Sequence, residues 1–181
     1  MTSVLALDLS KSRTGWALWD GKSDKARHGS QPLGSSLTDM GTVFARVHGL
    51  MNDVYAISPY DSVVMEEPLN PAVMNKINSF EVPFLLYGLA SHALSFCAAK
   101  GIRNPTMVHQ ATWRRHFIGT MKRGTGKTDL KAMTMARCRQ MGLKPKNDDE
   151  GDALAILDYA ISLDGIIPPW RAENILTSPF A

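Results

Sequence analysis

The chain has 181 residues, of which 44% are hydrophobic and 20% charged, with a formal net charge of +3. Such a length suits one domain with a substantial core, and the composition excludes a disordered or fibrous chain. No uninterrupted apolar run reaches the eighteen or so residues that span a bilayer, and MTSVLALDLS carries an acid where a secretory signal would be basic and then continuously apolar. The expectation is therefore a cytoplasmic protein, in a bacterial cell or an infected host, with no membrane partner.

Residues 4–9 (VLALDL) read as a buried strand, residues 14–21 (TGWALWDG) as its hairpin partner, and residues 26–33 as a third strand completing a meander. Met40, Val43, Phe44, Val47, Leu50, Met51 and Val54 recur at helical spacing, which predicts an amphipathic helix over 39–57, stopped by Ser58-Pro59. A strand over 61–67 follows, and the order strand, helix, strand implies a right-handed parallel crossover. A largely apolar helix over 80–99 ends at Gly101, a residue suited to a left-handed helix terminus. A short strand over 105–109, a short helix over 111–117 and a Gly-rich basic loop over 122–127 lead to helices over 129–141 and 149–163. Cys97 and Cys138 fall in helices without metal-ligand spacing and are read as buried free thiols. The expected architecture is an α/β domain over 1–164, a mixed central sheet of antiparallel meander and parallel strands flanked by α-helices. A tail over 165–181, with three prolines and Trp170, is expected to lie on the surface.

The small net charge hides an asymmetry. Between Lys100 and Lys146 stand twelve Lys and Arg against one acid, Asp129, a local charge of +11 that leaves −8 on the rest. A polyanion-binding surface beside metal-binding acids has this pattern. Arg114, Arg115, Lys122, Arg123, Lys127 and Lys131 are the candidate phosphate contacts, with Gly119, Gly124 and Gly126 letting backbone amides approach. GTGKT fails as a nucleotide-binding loop, because Met121 occupies the position of the glycine that a Walker A sequence requires. No nucleotide cofactor is expected. His109 and His116 lack metal-ligand spacing and are read as structural or phosphate-contacting, and Trp113 as core or interface.

Four acids sit on otherwise apolar elements, where an isolated charge costs several kcal/mol to bury unless it is paired or metal-bound. Asp8 points opposite to Leu5 and Leu7, or opens the turn that follows. Glu66 and Glu67 face opposite sides of one strand, and Glu66 shares parity with Val64. Asp149 and Asp152 lie three apart at a helix start, Asp149 with an N-cap as its alternative role, Asp152 preceding the packed run ALAIL. Together Asp8, Glu66, Asp149 and Asp152 form an all-oxygen donor set. It suits Mg²⁺, with Mn²⁺ as substitute, and a pair of ions for phosphodiester hydrolysis without a protein nucleophile.

ALDLSKSRTGW, VVMEEP and DEGDALA, in that order, resemble the RuvC family of Holliday junction resolvases in the RNase H-like superfamily. ATWRRHFIG followed by GTGKTDLKAM is more similar to the bacteriophage members, and the resemblance runs from Leu5 to about Ala160. It implies an RNase H-like fold, a homodimer, Mg²⁺-dependent nicking of opposed strands of a four-way junction, and Asp8, Glu66, Asp149 and Asp152 as catalytic acids. It also implies Lys127 near the scissile phosphate. The family's junction-wedging aromatic after the strand glutamate has Leu69 as its nearest counterpart, with Met74 and Phe80 as further candidates. Glu67, Asp148 and Glu150 are additional acids beside the assigned four. The competing readings are a nuclease of the same fold acting on flaps, other branched DNA or RNA–DNA hybrids, and a non-catalytic DNA-binding protein. A sugar-kinase or actin-like ATPase would need a second phosphate loop, which the sequence lacks.

Overall fold

The computed structural model describes residues 2–70, 80–103 and 105–171. Five strands, β1 (Val4–Asp8), β2 (Thr14–Trp19), β3 (Arg27–Gln31), β4 (Ser62–Glu66) and β5 (Thr106–Val108), form one sheet in the order β3-β2-β1-β4-β5. The β1–β2 and β2–β3 pairs are antiparallel and the β1–β4 and β4–β5 pairs parallel. The meander and the parallel crossover expected from the sequence are thus both present. The helices are α1 (Met40–Ile57), α2 (Glu81–Lys100), α3 (Gln110–Ile118), α4 (Lys127–Gln140) and α5 (Asp148–Leu163).

Strand alternation divides the core in two. Leu5, Leu7, Val63 and Met65 face α1 and α2, where Val43, Val47, Leu50, Met51 and Val54 bury the apolar stripe of α1. Val4, Ala6 and Val64 face the other way, onto α5 and the ends of α3 and α4. The apolar stripe sets where α1 begins, and Asp39 caps it by accepting from the Thr42 backbone N–H at 2.9 Å.

One helix has a property that the sequence pattern hid, and one expectation changes. Helix α2 is long and apolar enough to cross a membrane by length and composition, because its serines and histidine interrupt the apolar pattern without charge. One side of it packs Leu89, Ala90, Ala93, Phe96 and Cys97 into the core, while Phe80, Val82, Phe84 and Tyr87 at its beginning stay exposed. The segment after Gly165 is not a surface tail as far as residue 171. Trp170 is buried, meets Trp19 edge to face with ring centroids 6.5 Å apart, and donates to Asp158 at 2.8 Å. Both cysteines are free and buried.

Candidate active site

Asp8 ends β1 and Glu66 ends β4, and the parallel register that pairs Leu7 with Met65 brings both carboxylates to the C-terminal ends of these two neighbouring central strands. Their parity continues that of Val4, Ala6 and Val64, so both lie on the α5 side. Asn147 caps α5, accepting from the Glu150 N–H at 3.0 Å, which leaves Asp149 free of that role. Asp149 and Asp152 then project from the first turns of α5 into the same cleft.

The T-G pair at the start of β2 explains how the helix comes so close. Thr14 closes the loop after Asp8, its Oγ1 accepting from the Ser10 N–H at 3.1 Å and donating to the Ser10 carbonyl at 2.8 Å. Gly15 stands opposite Asp8 in the ladder, and a Cβ on it would lie 2.0 Å from the Asp149 carbonyl oxygen. Only a residue without a side chain lets α5 seat its first turn on the sheet.

The cleft, about 420 Å³, is lined by all four of these acids together with Glu67, Gln110, Arg114, Lys127 and Lys131. Burial pushes the Asp8 carboxyl well above the usual range, and the charges of Asp152, Glu66 and Asp149 push it further. Burial also raises Glu66 and Asp152, against the pull of Arg114. Asp149 is raised by burial and then by Asp148. Compensation is partial. Glu66 accepts from Gln110 Nε2 at 3.0 Å and Trp113 Nε1 at 3.1 Å, Arg114 Nη2 reaches Asp152 Oδ2 at 3.0 Å, and Arg13 Nε lies 3.9 Å from Asp149. The other Asp152 oxygen, Oδ1, is buried with no partner, as is Arg114 Nε.

Among the described residues no three acidic, histidine or cysteine side chains converge tightly enough to hold an ion as they stand. The hydrogen bonds to Glu66 and Asp152 hold those carboxylates on protein donors. The donor set nevertheless fits a hard divalent cation: four carboxylates line one cleft, all four have raised affinities for protons, and a buried oxygen lacks a partner. The extra acids on α5 are otherwise engaged. Lys131 pairs with Asp148 and holds its carboxyl low. Glu150 is buried against His28 Nδ1 at 2.8 Å, Ser30 Oγ at 3.3 Å and the Lys146 N–H at 3.1 Å.

The basic residues divide. Arg115, Lys122, Arg123 and Lys127 are exposed, and Gly119 and Gly124 take positive φ in the intervening loop. Lys131 is half-buried at the cleft. Arg114, expected on the same surface, is instead 3% exposed, because the Asp152 carboxylate draws its guanidinium inward. The histidines have structural partners: His109 caps α3 by accepting from the Ala111 N–H at 3.2 Å, and His116 meets Asp158 at 3.0 Å. Leu69 lines the cleft and Phe80 is exposed, while Met74 lies outside the described residues. Sequence reasoning missed Gln110 and Arg13 and gave Trp113 no polar role. The available signal was Gln110, Trp113 and Arg114, whose i, i+3, i+4 spacing sets three donors on one helical face.

No protein-family model matches the chain, and no curated protein sequence matches it. Solved structures do. RuvC of Thermus thermophilus, in complex with a Holliday junction substrate, is 17% identical with a TM-score of 0.64, over 91% of this chain and 96% of that one. A second structure of Thermus thermophilus RuvC gives 16% identity and a TM-score of 0.60, over 90% and 96%. The yeast mitochondrial Holliday junction resolvase is 13% identical with a TM-score of 0.57, over 98% of this chain and 82% of its own. With its mixed five-stranded sheet and flanking helices, the chain has the RNase H-like fold found in RuvC.

Proposed function

We propose that the protein is a divalent-metal-dependent endonuclease that resolves four-way DNA junctions as a homodimer. The observation that carries this reading is the meeting of Asp8, Glu66, Asp149 and Asp152 in one cleft with too little positive charge to satisfy them. The shared fold with a RuvC that was solved on a junction substrate supports the choice of DNA.

Those four carboxylates would hold Mg²⁺ or Mn²⁺, in one or two positions. When bound, the metal supplies an activated water and neutralises charge on the scissile phosphate and its leaving oxygen. The protein's own residues do the positioning. Arg114 sets the orientation of Asp152 from its buried position beside the cleft. Lys127 and Lys131 add positive charge at the cleft, and Arg115, Lys122 and Arg123 extend it outward to neighbouring phosphates. The exposed apolar start of α2, with Phe80, Val82, Phe84 and Tyr87, supports pairing with a second copy. A two-fold dimer would present two clefts to two opposed strands.

The test is cleavage of a labelled four-way junction beside duplex, flap and RNA–DNA hybrid, with Mg²⁺ or EDTA, by wild type, Asp8→Asn and Asp152→Asn. Symmetric, ligatable nicks confined to the junction, absent in EDTA and in both variants, are expected. Preferred cutting of flaps or hybrids would keep the cleft chemistry and overturn the substrate. No metal-dependent cutting of any of them would favour a DNA-binding protein.

A further inference from the structure

Helix α3 places two side chains on Glu66 that no part of the proposed chemistry has yet used. Gln110 Nε2 donates to Oε1 at 3.0 Å and Trp113 Nε1 to Oε2 at 3.1 Å, so each carboxylate oxygen is held by its own donor. The two residues are one turn apart on the same face of the helix. Neither donor is free to wander. Trp113 is fully buried in the core between the sheet and α5, with the Arg114 guanidinium 4.7 Å from its ring, and Gln110 opens α3 directly after the His109 cap.

The two donors are neutral, and that distinguishes them from Arg114. A guanidinium on Asp152 competes with a cation for the same negative charge. An amide and an indole N–H fix the plane of the Glu66 carboxylate without cancelling its charge, and each oxygen keeps lone-pair capacity for a metal.

We infer that Gln110 and Trp113 are positioning residues that pre-orient Glu66 for a divalent cation. The inference rests on the metal-dependent reading above and assigns the second layer of that site. In the absence of these donors Glu66, at a strand end, would sample other rotamers, and the site would lose affinity before it lost chemistry.

The experiment measures Mn²⁺ binding to the full-length protein without DNA, by electron paramagnetic resonance of the free ion, for wild type, Trp113→Phe, Gln110→Met and the double variant. Each single variant is expected to weaken binding about 10-fold and the double variant up to about 100-fold. Cutting by Gln110→Met should recover at saturating Mn²⁺ with an unchanged KM for DNA. Its unfolding midpoint should match wild type, since Gln110 sits half-buried at the cleft rim, and this keeps the test valid should Trp113→Phe fold poorly. Wild-type Mn²⁺ affinity in Gln110→Met and the double variant would overturn the inference while leaving the metal site standing. Absence of Mn²⁺ binding by the wild type itself would overturn the metal reading and this inference together.

Discussion

Helix α5 buries two aspartates six residues apart, and their surroundings are opposite. Asp158 is fully buried and fully satisfied: Trp170 Nε1 donates to it at 2.8 Å, Arg171 reaches both oxygens at 2.6 to 3.1 Å, and His116 lies at 3.0 Å. Asp152 has one partner, Arg114, an oxygen with none, and Asp8, Glu66 and Asp149 around the same cleft. A buried carboxylate matched by donors ties elements together, in this case α3, α5 and the segment around residue 170. One left short of donors in a cleft of like charges costs stability. The protein carries that cost where a cation would remove it.

Four perturbations break or sharpen this contrast. Asp8→Asn should lower junction cutting about 10⁴-fold, as expected for one member of a unit. Because Asp8 is buried among like charges, the metal-free variant should melt at or above the wild-type temperature. Asp158→Asn should do the reverse. It should lose about 2–4 kcal/mol in urea denaturation, below the full cost of a broken buried pair because the Arg171 side chain is 25% exposed, while keeping wild-type Mn²⁺ affinity. Gly15→Ala should force the Asp149 carbonyl away from the sheet, costing about 1–3 kcal/mol and about 100-fold in cutting, read by denaturation and single-turnover kinetics. Lys122→Ala with Arg123→Ala should leave the chemical step alone and weaken junction binding evenly across sequences. Its salt dependence should flatten by about one unit of slope for each phosphate that is no longer neutralised, measured by fluorescence anisotropy at several salt concentrations.

Much of the fold was legible because burial writes itself as periodicity. The α1 stripe, the Gly101 terminus at φ 73° and the meander all follow from residue order. The acids were legible for the same reason, since Asp8 and Glu66 interrupt strand patterns and Asp152 interrupts a helix core. What escaped were features that exist only between elements. Arg114 looks like any residue of a basic stretch until α5 brings Asp152 to it, and Trp170 looks like tail until Asp158 holds it. Gly15 shows no sign in the sequence of the helix that presses on it. Gln110 carries no charge, so charge counting passed over a residue that holds Glu66.

The most direct test of the central claim, that the cleft acids are short of a cation, is the melting temperature of wild type and Asp8→Asn with and without Mg²⁺. At a hundredfold excess over the dissociation constant, binding should stabilise the wild type by about 2.7 kcal/mol, a shift of several degrees for a chain of this size. Asp8→Asn should show little or no shift from a metal-free midpoint at or above that of wild type. An unmoved wild type, or an equal shift in the variant, would contradict the account.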